Sequence, residues 1–231
     1  MPYQHIFFDL DHTLWDFETN SGLTIEKLYH EFALDTQGIS SLTDFFNSYT
    51  THNNRLWKRY TQGFIKQDEL RWKRMWFSLL DFKIADEALA KKLSAAYLDE
   101  LPNRTALFPH TMETLQYLQS KHYQLYIITN GFEEVQLRKL AYSQLAPFFK
   151  EVVTSQKAQL VKPDAAIFAY TMQLAQALPE QCIMIGDNQE ADIQGGINAG
   201  IDTVWVNHIQ AKATVPATYT ITGLDQLLNI L

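Results

Sequence analysis

Five short runs of the chain carry apolar or β-branched residues at most positions: HIFFDL (5–10), LYIITN (125–130), EVVTS (151–155), CIMIGD (182–187) and TVWVN (203–207). Continuous apolarity rich in β-branched and aromatic residues predicts strands covered on both faces. Between the later runs the period changes to that of a helix. TMETLQYLQSKH follows Pro109, EEVQLRKLAYSQL follows TNGF, AAIFAYTMQLAQAL follows Pro163, and ADIQGGINAG ends on Gly200. Strands alternating with helices predict right-handed βαβ crossovers, hence a doubly wound α/β core with a parallel sheet.

Residues 17–104 break this alternation. SGLTIEKLYHEFAL, LTDFFNSYTTHNNRLWKRYTQG, QDELRWKRMWFSLLDF and DEALAKKLSAAYLDEL are helical patterns with almost no strand signal. In the last, Leu89, Leu93 and Tyr97 recur every four residues as one apolar stripe. The expected organisation is an α/β core from residues 1–16 and 105–231, with an all-helical unit, 17–104, inserted after the first strand. Aromatic residues of that unit (Trp57, Tyr60, Trp72, Trp76, Phe77) offer a surface for stacking a base, although aromatics at helical spacing are more often core.

Composition narrows the functional classes. The 231 residues carry a net charge of −7, which argues against wholesale binding to nucleic acid or an anionic membrane. The segment from Arg55 to Arg74 runs the other way, with seven basic and two acidic residues. It is read as solvated helix faces, or as a lid that attracts an anionic substrate. Cys182 is the sole cysteine, in an apolar run, so it is expected to be a buried thiol in a reducing compartment. With no apolar run near the ~18 residues of a membrane span and no leader pattern at the start, the expected location is cytoplasmic.

Candidate chemistry gathers at the ends of the strands, where ligands of open α/β sheets bind. Asp9 and Asp11 close the first run, and strand alternation would send both carboxylates to one side. The second run ends in Thr129-Asn130-Gly131, a hydroxyl followed by backbone N–H groups at a helix start, a natural seat for phosphate oxygens. Lys162 precedes Pro163, which would fix it at a helix start. The fourth run ends in Asp187, with Asn188, Glu190 and Asp192 just beyond. Taken singly, Thr129, Asn130 and Asp187 also read as helix caps and Lys162 as a surface residue, whereas a cap explains one of the carboxylates of Asp9 and Asp11 but not both. Together, carboxylates facing a hydroxyl and an ammonium are a poor stability device but a good site for a hard divalent cation such as Mg²⁺.

DLDHT, TNG, VKPD and GDNQEAD, in this order, resemble the four motifs of the haloacid dehalogenase-like hydrolase superfamily, and the helical insert resembles its helical-cap branch. DLDHTLWDF, ITNGF and GGINAGIDTVWVN further resemble the phosphatases of pyrimidine nucleoside 5′-monophosphates. The resemblance implies a Mg²⁺-dependent phosphomonoesterase whose partner is a small phosphorylated metabolite, a nucleotide in particular. Asp9 would be the nucleophile and Asp11 the general acid and base. Thr129, Asn130 and Lys162 would bind the phosphoryl group. Asp9, Asp187 and the backbone carbonyl of Asp11 would hold the metal, with Thr13, Asn188 and Asp192 supporting from behind. Asn188 departs from the Ser found in many relatives, but both residues are small and form hydrogen bonds. Dehalogenases of the superfamily lack an acid at the position of Asp11, because halide leaves without a proton. The rivals are a sugar-phosphate or general metabolite phosphatase or phosphomutase of the same mechanism, a phosphorylatable signalling receiver, and a binding protein that has lost catalysis.

Overall fold

The structure is a computed structural model describing residues 3–231. The chain divides into two compact units, one of residues 1–17 and 105–231 and one of residues 18–104.

The elements run β1 (His5–Phe8), α1 (Phe17–Glu31), α2 (Leu42–Thr61), α3 (Gln67–Asp81), α4 (Glu87–Glu100), α5 (Thr111–Ser120), β2 (Gln124–Thr129), α6 (Glu133–Tyr142), β3 (Phe149–Thr154), α7 (Ser155–Ala158), α8 (Ala165–Ala175), β4 (Cys182–Gly186), α9 (Gly195–Asn198), β5 (Asp202–Val206) and β6 (Tyr219–Ile221). All six strands pair in parallel in the order β3-β2-β1-β4-β5-β6. Both faces are covered, which explains the unbroken apolar runs. Phe7, Ile128, Cys182 and Met184 pack with Ile167 and Phe168 of α8, while the alternate residues Ile6, Phe8, Ile127, Ile183 and Ile185 are also fully buried. Each such side chain contributes roughly 1.5–3 kcal/mol of burial.

Three expectations change. β1 closes at Phe8, so Asp11 lies on the turn that follows rather than on the strand. There, backbone bonds from Leu14 and Trp15 to the Leu10 carbonyl and from His12 to the Trp15 carbonyl fold the chain back, with His12 in the left-handed region at φ 61°. The pattern ADIQGGINAG is not one α-helix but a wide π-type turn, Gln189–Gln194, followed by the single turn α9. Finally, β6 adds an edge strand that the pattern did not reveal.

In the helical unit, Ser41 caps α2 and Asp86 caps α4 through their side-chain oxygens. Leu89, Leu93 and Tyr97 form part of a buried core with Ile25, Phe45, Tyr49 and Leu79. Arg74 is not on a solvated face. It is buried, donating to the Tyr49 hydroxyl and the side-chain Oδ1 of Asn53 and lying over the Tyr97 ring. Conversely, Trp57, Tyr60, Trp72, Trp76 and Phe77 are all only half-buried, so they are not the core residues that helical spacing suggests. Trp72 and Trp76 lie ring against ring, and Arg55 stands over Phe77.

Candidate active site

The sheet order reverses between β1 and β4, and a crevice at the carboxyl ends of the strands opens at such a point. Phe8 pairs with Ile185, and the Asp9 N–H extends the ladder to the Ile185 carbonyl. Asp9 therefore leaves β1 beside the end of β4, from which Asp187 emerges one residue beyond Gly186. One oxygen each from Asp9, Asp187 and Asp192 lies within 4.8 Å of the others.

Lys162 holds this cluster together. Its buried ammonium donates to Asp9 Oδ1 and Asp192 Oδ1, each at 2.6 Å. The second oxygen of Asp192 accepts the backbone N–H of Asn188, so both its oxygens are committed to positioning other groups. Gly186 makes this possible, because a Cβ there would fall on the Asp192 carboxylate. Asn188 in turn caps the wide turn by accepting from the N–H groups of Glu190 and Ala191. Glu190 itself faces solvent and takes no part.

Thr13 and Asp187 are bound twice. The Thr13 hydroxyl donates to Asp187 Oδ1 at 3.1 Å and accepts the Asp187 N–H at 3.0 Å. Trp205 of β5 donates its indole N–H to the Asp187 carbonyl. These contacts tie the turn after β1 to the turn after β4.

The electrostatics follow from burial. Desolvation, reinforced by the charges of Asp192 and Asp11 and opposed by Lys162, pushes the Asp9 carboxyl up to about 7. Desolvation and the charges of Asp9 and Asp192 raise Asp187 well above the carboxylate range. Burial works against the Lys162 charge as well, but Asp192 and Asp9 outweigh it and hold the ammonium above the usual lysine range. Three acidic groups around one ammonium leave an excess of negative charge that a bound cation would neutralise.

Asn130 does something its sequence position does not reveal. Its side-chain amide donates to the Lys162 carbonyl at 3.0 Å and accepts the Lys162 N–H at 2.9 Å. It thus fixes the backbone that carries the ammonium. The Thr129 hydroxyl accepts from the Gly131 N–H and from Gln136 Nε2, which leaves its own O–H to donate.

Asp11 lies in a second cluster. Lys139 Nζ donates to its Oδ1 at 2.6 Å and Gln136 Nε2 to its Oδ2 at 3.0 Å. Both donors come from α6, three residues apart and so on one helix face. Neither stands out in the sequence, where EEVQLRKLAY reads as an ordinary amphipathic helix. The nine residues to which the resemblance gives roles thus fall at or beyond the carboxyl ends of β1, β2 and β4 or on the α7–α8 connection. They form two linked groups rather than one.

Comparison with known proteins gives the family. The family described as haloacid dehalogenase-like hydrolase matches residues 6–206. The chain is a haloacid dehalogenase-like hydrolase. This hydrolase is 34% identical to the pyrimidine 5′-nucleotidase PynA of Streptococcus pneumoniae, over 100% of this chain and 96% of that protein. It is 29% identical to the pyrimidine 5′-nucleotidase YjjG of Escherichia coli, over 100% and 99%. Among solved structures, the HAD-hydrolase YfnB of Bacillus subtilis bound to magnesium superposes with a TM-score of 0.90 at 30% identity, covering 100% of this chain and 99% of that one. Among the described residues, no helix of the hydrolase is long and apolar enough to cross a membrane.

Proposed function

We propose that this hydrolase removes the phosphoryl group from small phosphate monoesters, specifically nucleoside 5′-monophosphates with a preference for pyrimidines, through a phosphorylated Asp9 and with Mg²⁺ as cofactor. The observation that carries the reading is the cluster of Asp9, Asp187 and Asp192, one oxygen of each within 4.8 Å of the others, with the Lys162 ammonium bonded to Asp9 and Asp192. The relatives named as pyrimidine nucleotidases support the choice of substrate.

The donor set fits magnesium. Its ligands are hard oxygens. Asp192 has both oxygens engaged, while Asp9 and Asp187 have one each, so Asp9 and Asp187 would hold the ion, together with the backbone carbonyl of Asp11 that the family resemblance implies. Bound there, it supplies positive charge that keeps Asp9 ionised at neutral pH and withdraws charge from the phosphoryl oxygens.

The chain's own groups would carry out the reaction. An oxygen of Asp9 forms a bond to phosphorus as the ester P–O bond breaks, and the Asp11 carboxyl gives its proton to the departing oxygen. The Thr129 hydroxyl and the third N–H of Lys162, the two others being taken by Asp9 and Asp192, hold phosphoryl oxygens. Water then attacks phosphorus, gives its proton to the Asp11 carboxylate, and releases phosphate and the Asp9 carboxylate. An acid at position 11 suits an alkoxide leaving group, which needs a proton, and not a halide.

A panel of phosphomonoesters with Mg²⁺, and with EDTA as control, tests this. Faster turnover of pyrimidine monophosphates than of sugar phosphates is expected. Equal rates would remove the nucleotide preference, and Mg²⁺-independent or absent hydrolysis would remove the reading itself.

A further inference from the structure

Lys139 sits in an unusual position for a lysine on a surface helix. It is 2% exposed. Its ammonium lies 4.2 Å from the ring centre of Trp15 and 5.4 Å from that of Phe17, and it donates to Asp11 at 2.6 Å. Burying an ammonium is costly unless it is paired, and the two rings and the carboxylate together supply that pairing. Gln136 completes the arrangement. It donates to Asp11 and to the Thr129 hydroxyl, while its own Oε1 is buried with no hydrogen-bond partner in the protein. The side chain of Gln136 lies where a Cβ of residue 131 would stand, so Gly131 leaves it room.

We infer that Lys139 is a positioning residue for the reaction: it fixes the Asp11 carboxylate, and with Gln136 sets its place relative to the phosphoryl-binding hydroxyl of Thr129. This rests on the reading of Asp11 as the group that protonates the leaving oxygen. Asp11 lies on the turn beyond the end of β1, and its side chain is 24% exposed, so the strand does not fix where it points. The bond from Lys139, whose own rotamer is locked between two rings, does so instead.

An ion pair that served only stability would affect all substrates alike, so the test compares leaving groups. Lys139→Met keeps the apolar stem between the rings and removes the donor. For a pyrimidine nucleoside monophosphate, whose leaving alkoxide needs a proton, kcat/KM should fall about 10- to 100-fold. For p-nitrophenyl phosphate, whose leaving group departs as the anion, it should stay within about threefold. Asp11→Asn, measured alongside, should show the same selectivity, and adding Lys139→Met to it should cost less than about twofold more. Equal losses on both substrates in Lys139→Met, or independent losses in the double variant, would overturn the inference while Asp11→Asn still discriminates. If Asp11→Asn itself fails to discriminate, the acid role of Asp11 falls, and the inference with it. Should Lys139→Met not fold, Lys139→Gln, which retains a donor, should show a smaller loss confined to the nucleotide. A loss shared by both substrates would again overturn it.

Discussion

Asp9 and Asp11 stand two residues apart, and each has an ammonium of its own. Asp9 is buried, shares Lys162 with Asp192 and is pushed up to about 7. Asp11 is a quarter exposed and is held by Lys139 and Gln136 from a different helix. The repulsion expected from two adjacent acids is thus divided between two counter-ions, one on the α7–α8 connection and one on α6. The difference suits two tasks. A nucleophile gains from a fixed, dry setting short of positive charge that a cation can complete. A group that passes protons to and from a leaving oxygen and a water needs access to solvent and a defined aim.

The largest effect that can sharpen this contrast comes from Asp9→Asn. Turnover should fall by about 10⁴-fold or more, with the thermal midpoint measured without Mg²⁺ no lower than wild type, since a strained buried charge has been removed. Appreciable turnover would dissolve the distinction between the two acids. Lys162→Met leaves Asp9 and Asp192 buried without their shared cation. Urea denaturation should then show a loss of about 3–5 kcal/mol, and a change under about 1 kcal/mol would show that the cluster is far better solvated than its burial implies.

A third experiment uses pH. Asp9 keeps in the native state a proton that the unfolded chain, near the ordinary 3.8, gives up. Its contribution to stability without metal is therefore complete below about pH 4 and is lost as the pH rises through about 7. Added Mg²⁺ should raise the melting temperature more at pH 7.5 than at pH 5, and a gain independent of pH would show that the ion does not engage this carboxylate. The smallest effect is expected from Thr13→Val, which removes both hydrogen bonds to Asp187. Mg²⁺ should bind about 10-fold more weakly in a titration followed by thermal shift, and unchanged affinity would assign Thr13 to the turn alone.

The sheet was largely legible because both its faces are buried, so that the centres of β1, β2, β4 and β5 are runs of apolar residues. β6 escaped notice because it is three residues long and two of them are exposed. Asp9, Asp187 and Asp192 were legible because carboxylates just beyond apolar strands conflict with local preference, and such conflicts mark sites. Lys139 and Gln136 were not, because a polar residue on an amphipathic helix carries no sign of whether it meets solvent or a carboxylate. Arg74 misled in the same way, reading as one more charge in a basic run while lying inside the helical unit. The wide turn at Gln189–Gln194 was hidden by residues that suit an α-helix equally well. Its shape follows from Asp192 reaching back to Asn188 and across to Lys162.

The paired hydrogen bonds between the Asn130 amide and the Lys162 backbone reproduce, with a side chain, the rung of a ladder between strands. The planar amide of asparagine offers a donor and an acceptor side by side, and an ionised acid, which has no donor, would supply only half the match. The address of the Lys162 ammonium is therefore written at the end of β2, not in the connection that delivers it. Lengthening the stretch from Gln159 to Val161 would then cost only the modest entropy of a longer loop, provided these two hydrogen bonds still form.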